Sequence, residues 1–181
     1  MIRIVTLHPI DPADLAELRK TLFATFGVGV EHLGERPLPR ALAGAKVPTD
    51  VLRLLAEVEP IRLVGHDKVL YLTALELEEP EGPLGAPPVW GFAEYGAARS
   101  VVSLAHLPPR GVSEASIETW RRRLAREAAH VVGHLWDLHH CYDARCAMHP
   151  SWSPHLGPTP DASLCTFCRE KSEARIRLAT S

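Results

Sequence analysis

The run His130-Val131-Val132-Gly133-His134-Leu135-Trp136-Asp137-Leu138-His139-His140-Cys141 decides how the chain is read. His130 and His134 are four residues apart, so a helix puts both imidazoles on one face, a turn from each other and within reach of one metal ion. His140 lies six residues past His134, about 240° further round a helix of 3.6 residues per turn. It reaches the same ion only if the helix stops and the chain turns back. The pattern therefore asks for a helix, a sharp turn and a third His arriving from outside the helix. Three His ligands with a fourth position open is the layout of a catalytic zinc site, whereas structural sites are closed by four protein ligands. The bland alternative is a His-rich helix C-terminus favoured by the helix dipole. The third His, followed at once by a Cys, weighs against it.

A second constellation follows. Cys141-x4-Cys146 and Cys165-x2-Cys168 are two short-spaced pairs that fit a tetrahedral zinc held by four thiolates. All four cysteines lie at or beyond position 141, and six of the ten histidines lie between 130 and 155. The C-terminal third is therefore the expected working part. A four-thiolate ion would organise a tail with too few apolar residues to fold alone. Because His140 and Cys141 are neighbours, it would also fix the backbone that presents the third His.

Composition narrows the class. A chain of 181 residues with 46% hydrophobic content and a net charge of −2 is expected to form one domain, or one domain in two lobes around a cleft. Its one basic cluster, Arg121, Arg122 and Arg123 with Arg126 a turn later, reads as a solvated helix face, and the charge balance argues against a nucleic-acid surface. No stretch approaches the ~20 apolar residues of a membrane span, and the N-terminus resembles no signal or transit peptide. The expectation is a soluble cytoplasmic protein with reduced thiols and no disulfides.

Working outward from the motif, the spacing predicts a long helix from about Ser113 to Trp136, with Ser113 as N-cap and an apolar stripe of Ile117, Trp120, Leu124, Ala128, Val131 and Leu135. Upstream, residues 2–8 read as a strand. Asp11 and Pro12 open a helix carrying Leu15, Leu18, Leu22 and Phe26, closed by Gly27. Residues 28–34 read as a strand, 35–48 as a loop, 50–58 as a short helix, 61–64 as a short strand or extended lead-in, 69–77 as a strand and 79–88 as a loop. Two apolar runs, 89–95 and 99–107, either pair as a hairpin or lie apart in one sheet, and Pro108, Pro109 and Gly111 end the sheet region. A charged helix over about 166–178 is expected on the surface. The order implies α+β architecture, a sheet backed by helices with a metal-tied tail.

The combined pattern resembles the archaemetzincins, a branch of the metzincin zinc peptidases. Their signature is H-E-x-x-H-x-x-G-x-x-H-C-x4-C-x-M, followed by a C-x2-C pair. The matching positions are His130, His134, His140, Cys141, Cys146, Met148, Cys165 and Cys168. Residues 126–129 resemble the family's approach to its active-site helix, and 89–107 resemble its two preceding strands, so the likeness covers at least 89–168. It implies a metzincin-like (zincin) fold: a twisted mixed sheet, a backing helix, an active-site helix and a small Cys-tethered C-terminal lobe. The expected division of this single domain is 1–137 and 138–181. The resemblance also implies two zinc ions, one on His130, His134 and His140 and a structural one on the four cysteines, and it puts Met148 in the Met-turn beneath the histidine site. The implied partner is a peptide or protein in the cleft, and a monomer is expected.

The chain departs from that signature twice. Val131 stands where the family carries the Glu that acts as general base, and Asp137 stands where it carries a helix-ending Gly. Asp is among the few non-Gly residues that tolerate left-handed backbone angles. The loss at 131 is serious, because a positioned acid/base contributes roughly 10²–10⁴-fold. The expectation is a zinc-binding protein of the peptidase fold with lost or strongly reduced activity. The alternative is a working peptidase with a substitute base, Glu127 or Asp137. Glu127, almost a turn before His130, reads more simply as a solvated or salt-bridged helix residue. A zinc-ribbon module for nucleic acid is the third reading, disfavoured by charge.

Overall fold

Ile2, Ile4 and Val5 are all fully buried, so the first strand has a core on each side of it. In the structure, a computed structural model that describes residues 1–44, 47–79, 89–105, 107, 111–150 and 161–180, this strand, β1 (Ile2–Thr6), lies inside a five-stranded sheet. The other strands are β2 (Val30–Glu35), β4 (Lys68–Thr73), β6 (Gly91–Ala93) and β7 (Arg99–Ser103), in the order β2-β1-β4-β7-β6. The pairs β2–β1, β1–β4 and β4–β7 are parallel, and β6 closes the edge antiparallel to β7. A small parallel pair, β3 (Thr49–Asp50) with β5 (Leu77–Glu78), stands beside it. The helices among the described residues are α1 (Pro12–Phe26), α2 (Val51–Glu57), α3 (Glu114–Leu135) and α4 (Thr166–Thr180).

The pleat sorts side chains to two cores. Ile2, Ile4, Leu70, Leu72 and Val102 meet Leu18, Leu22, Trp120, Leu124, Ala128 and Val132 of α1 and α3. Val5, Val69, Tyr71 and Val101 meet Val51 and Leu54 of α2 on the other face. The architecture is α+β with a mixed sheet, α1 as backing helix and α3 as the helix carrying the histidines. Asp11 caps α1 by accepting from the Ala13 N–H at 2.8 Å, and Gly27 ends it at φ 67°. Ser113 caps α3 through the Ser116 N–H.

Several expectations change in detail. The strand expected over 69–77 stops at Thr73, whose Oγ1 accepts the Leu75 N–H at 3.2 Å and turns the chain. The run 99–107 stops at Ser103 for the same reason, with Ser103 Oγ accepting from Ala105. Of the two readings for 61–64 the strand is not formed, which leaves the lead-in, and the strand expected at 28–34 begins two residues later. The two apolar runs before α3 do pair as a hairpin. Most of the loop expected at 79–88, together with Pro108 and Pro109, lies outside the described residues.

The basic cluster is not a solvated face. Arg122 is exposed, but Arg121 turns inward and donates from Nε to Asp14 Oδ1 of α1 at 2.6 Å, and Arg126 is only 5% exposed. Glu127 is buried as well. The reason is position: from Leu124 onward α3 is enclosed by the sheet, α1 and the tail, so even its polar residues lie inside.

The edge strand β6 runs close against α3. A Cβ on Gly91 would stand 2.7 Å from Val131 Cγ1 and 3.1 Å from the Val101 carbonyl oxygen. Gly91→Ala is therefore expected to destabilise the protein by about 1–3 kcal/mol through overpacking. Adding Val131→Ala should return part of that loss. Urea unfolding of the two single variants and the double variant measures this coupling.

Candidate metal centre

The site begins at the end of α3. The N–H of Asp137 donates to the His134 carbonyl at 2.9 Å, and the N–H of Leu138 donates to the Gly133 carbonyl at 3.0 Å. This pair of bonds is a Schellman turn, which requires a left-handed residue at its bend. Asp137 is that residue, at φ 59°. Its carboxylate accepts from Arg175 Nη2 of α4 at 2.5 Å and lies 3.8 Å from His139 Nε2. The turn brings the Leu138 carbonyl back to His134 Nδ1, which donates to it at 2.7 Å. One turn earlier, His130 Nδ1 donates to the Ala147 carbonyl at 2.9 Å.

Those two bonds fix the tautomers. With each Nδ1 carrying its proton to a carbonyl, the neutral rings aim unprotonated Nε2 lone pairs inward, and the two Nε2 atoms lie 3.0 Å apart. Two facing lone pairs at that distance repel unless a cation lies between them. His140 completes the group from beyond the turn, its ring centroid 5.2 Å from that of His130 and 5.1 Å from that of His134. One nitrogen from each of the three lies within 4.8 Å of the others. Burial, reinforced by the neighbouring His134, pushes His130 down to about 3. Burial also lowers His134, and it lowers His140 together with His139 and His149. All three are thus held neutral near pH 7, as metal ligands must be.

The tail forms a second cluster. The sulfurs of Cys141, Cys146, Cys165 and Cys168 lie within 4.8 Å of one another, with Cys141 and Cys165 3.8 Å apart and all four thiols free. That separation suits sulfurs around one zinc, since Zn–S bonds of ~2.3 Å at tetrahedral angles put sulfurs about 3.8 Å apart. Burial raises Cys146 and Cys168 above the usual thiol range. Without a cation this quartet does not hold four charges, and a divalent ion would supply the compensation. The Cys141 N–H donates to the Met148 carbonyl at 2.9 Å, joining the start and end of the loop that carries Ala147.

The donor sets therefore fit zinc at both places. Met148 is fully buried against Gly133, between the two helical histidines, where a Cβ would stand 2.3 Å from its sulfur. Val131 faces the other way, buried against Gly91. Among the described residues no carboxylate joins the histidine group. Glu127 is buried one turn back, and Asp137 is engaged with Arg175.

The sequence did not mark every residue of the site. Tyr95 stacks on His139 at 4.4 Å and meets His134 edge-on at 4.9 Å, while the next residue, Gly96, donates to the His134 carbonyl. Nothing in the run before α3 distinguishes this Tyr from a strand residue. The carbonyls of Ala147 and Leu138 are backbone atoms and carry no sequence signal.

No family model matches the chain. It is 25% identical over 185 residues to the archaemetzincin of Pyrococcus furiosus, an alignment covering 97% of this chain and 94% of that protein. Among solved structures, archaemetzincin from Methanopyrus kandleri superposes with a TM-score of 0.78 at 24% identity, covering 97% of this chain and 94% of that one. A zinc-dependent peptidase from Methanocorpusculum labreanum gives 0.76 at 20% identity, covering 95% and 100%.

The turn at Asp137 is testable. Asp137→Val is expected to cost about 1–2 kcal/mol, because a β-branched residue resists the left-handed conformation. Asp137→Gly should change stability by less than about 1 kcal/mol, since easier backbone geometry offsets the loss of an ion pair near the surface. Thermal unfolding of both metal-loaded variants checks the ranking.

Proposed function

The chain belongs to the archaemetzincin family, and from that premise we propose that it is a two-zinc protein of the peptidase fold whose hydrolytic activity is lost or strongly reduced. His130, His134 and His140 would hold one zinc, and Cys141, Cys146, Cys165 and Cys168 the other. Residues 1–137 form the lobe that supplies the sheet and both helices of the site. Residues 138–181 form a small lobe tied by the thiolate-bound ion. The ligand class is a peptide or protein lying in the cleft beside the edge strand β6, the protein is a monomer, and its location is the cytoplasm. No helix among the described residues is long and apolar enough to cross a membrane.

One observation carries this reading. The side chain after the first histidine ligand is Val131, 1% exposed and packed on Gly91. A zinc held by the three histidines would supply Lewis acidity. The chain's own residues hold the imidazoles neutral and oriented, through the Ala147 and Leu138 carbonyls. Among the described residues no carboxylate joins the histidine group to take a proton and return it to a leaving amine. Glu127 would have to displace the helix to reach residue 131's position, and Asp137 would have to leave Arg175.

Peptide hydrolysis by the zinc-loaded protein decides the matter. The wild type is expected to match its His134→Ala variant, and Val131→Glu is expected to rise above both by roughly 10²-fold or more. Wild-type turnover that disappears in His134→Ala would instead establish a working peptidase with a substitute base.

A further inference from the structure

We infer that Arg126 is the buried counter-charge of the four-cysteine site, and that its guanidinium acts on the two metal sites in opposite senses. The inference rests on the reading of the four thiolates as a zinc site. A divalent ion with four thiolates carries a net charge of about −2, and burying such charge requires compensation. Cys146 and Cys168 are almost wholly enclosed.

Arg126 is the unexplained cation in the same core. It is 5% exposed, and its Nη1 is buried without a hydrogen-bond partner. A buried guanidinium group with an unmet donor is costly unless an anion lies near it. Its position on α3 identifies that anion. Arg126 and His130 share a helix face one turn apart. The His130 ring bonds to the Ala147 carbonyl at 2.9 Å, and Ala147 directly follows Cys146. The face that carries Arg126 thus runs along the segment that carries Cys146. In keeping with this, burial lowers the Arg126 pKa, while Glu127 and then Cys146 raise it. Glu127 supplies one negative charge, but it points about 100° away around the helix and leaves Nη1 unmet.

Arg126 also lies one helical turn from His130 on the same face of α3, so its fixed positive charge opposes a second cation held there. Removing it should therefore weaken metal binding at the cysteines and leave binding at the histidines unchanged or tighter. A side chain that merely fills space would, when truncated, loosen both sites together. This difference in sign separates an electrostatic role from a packing one.

The test is metal retention, independent of any hydrolysis. Wild type, Arg126→Met and Arg126→Lys are loaded with cobalt(II). The thiolate charge-transfer bands then report cobalt at the cysteine site, total bound cobalt less that amount reports the histidine site, and both are followed during titration with a chelator. Arg126→Met is expected to release metal from the cysteines at least tenfold more readily, with histidine-site retention equal or higher, and Arg126→Lys is expected to stay near wild type. Equal retention in Arg126→Met, or parallel loss at both sites, overturns the inference. A wild type with no thiolate bands overturns the four-cysteine zinc reading itself, a distinct result. Should Arg126→Met not fold, the wild type still decides. The side-chain 15N resonances of Arg126 are expected to shift when cadmium enters the cysteine site, and unchanged resonances refute the proposal.

Discussion

The site depends on one turn. If α3 continued past His134, the Leu138 carbonyl would not return to His134 Nδ1, and His140 would point away from the other two rings. The two reversed bonds at Gly133 and His134 end the helix within a single residue, and Asp137 accepts the left-handed conformation that this requires. Its carboxylate then ties the turn to Arg175 of α4. A backbone conformation, an imidazole tautomer and the docking of the last helix are thereby linked through one residue.

Around that turn the protein fixes its imidazoles with carbonyls. Ala147 and Leu138 orient His130 and His134 so that both Nε2 atoms face one point. Ala147 belongs to the loop between Cys146 and Met148, so the two clusters meet at a single 2.9 Å bond while each keeps its own set of ligands. Val131, the residue after the first of these histidines, fills the space against Gly91 and is 1% exposed, and on the reading proposed above this packing stands where acid/base chemistry would otherwise be supplied.

Much of this could be read from residue spacing. Asp11, Pro12 and Gly27 mark the ends of α1 because caps act locally, and the i, i+4 histidines mark one face near the end of α3. Strand lengths were less legible, since Thr73 and Ser103 end their strands by hydrogen bonds to residues two further on, and either residue suits a strand interior equally well. Arg126 misled because a polar helical residue reads as solvated until the neighbours that enclose it are known, and Glu127 is buried rather than solvated for the same reason. Tyr95, and the carbonyls that set the tautomers, left no trace because their roles arise only from contacts between distant segments.

The central claim is that three imidazoles and four thiolates hold two separate zinc ions. X-ray absorption at the zinc edge of the purified protein tests it most directly. The account predicts a mixed first shell, with sulfur at ~2.3 Å and nitrogen or oxygen at ~2.0 Å in comparable amounts. A shell of sulfur alone would mean that the histidines hold no zinc, and the absence of sulfur would contradict the thiolate site.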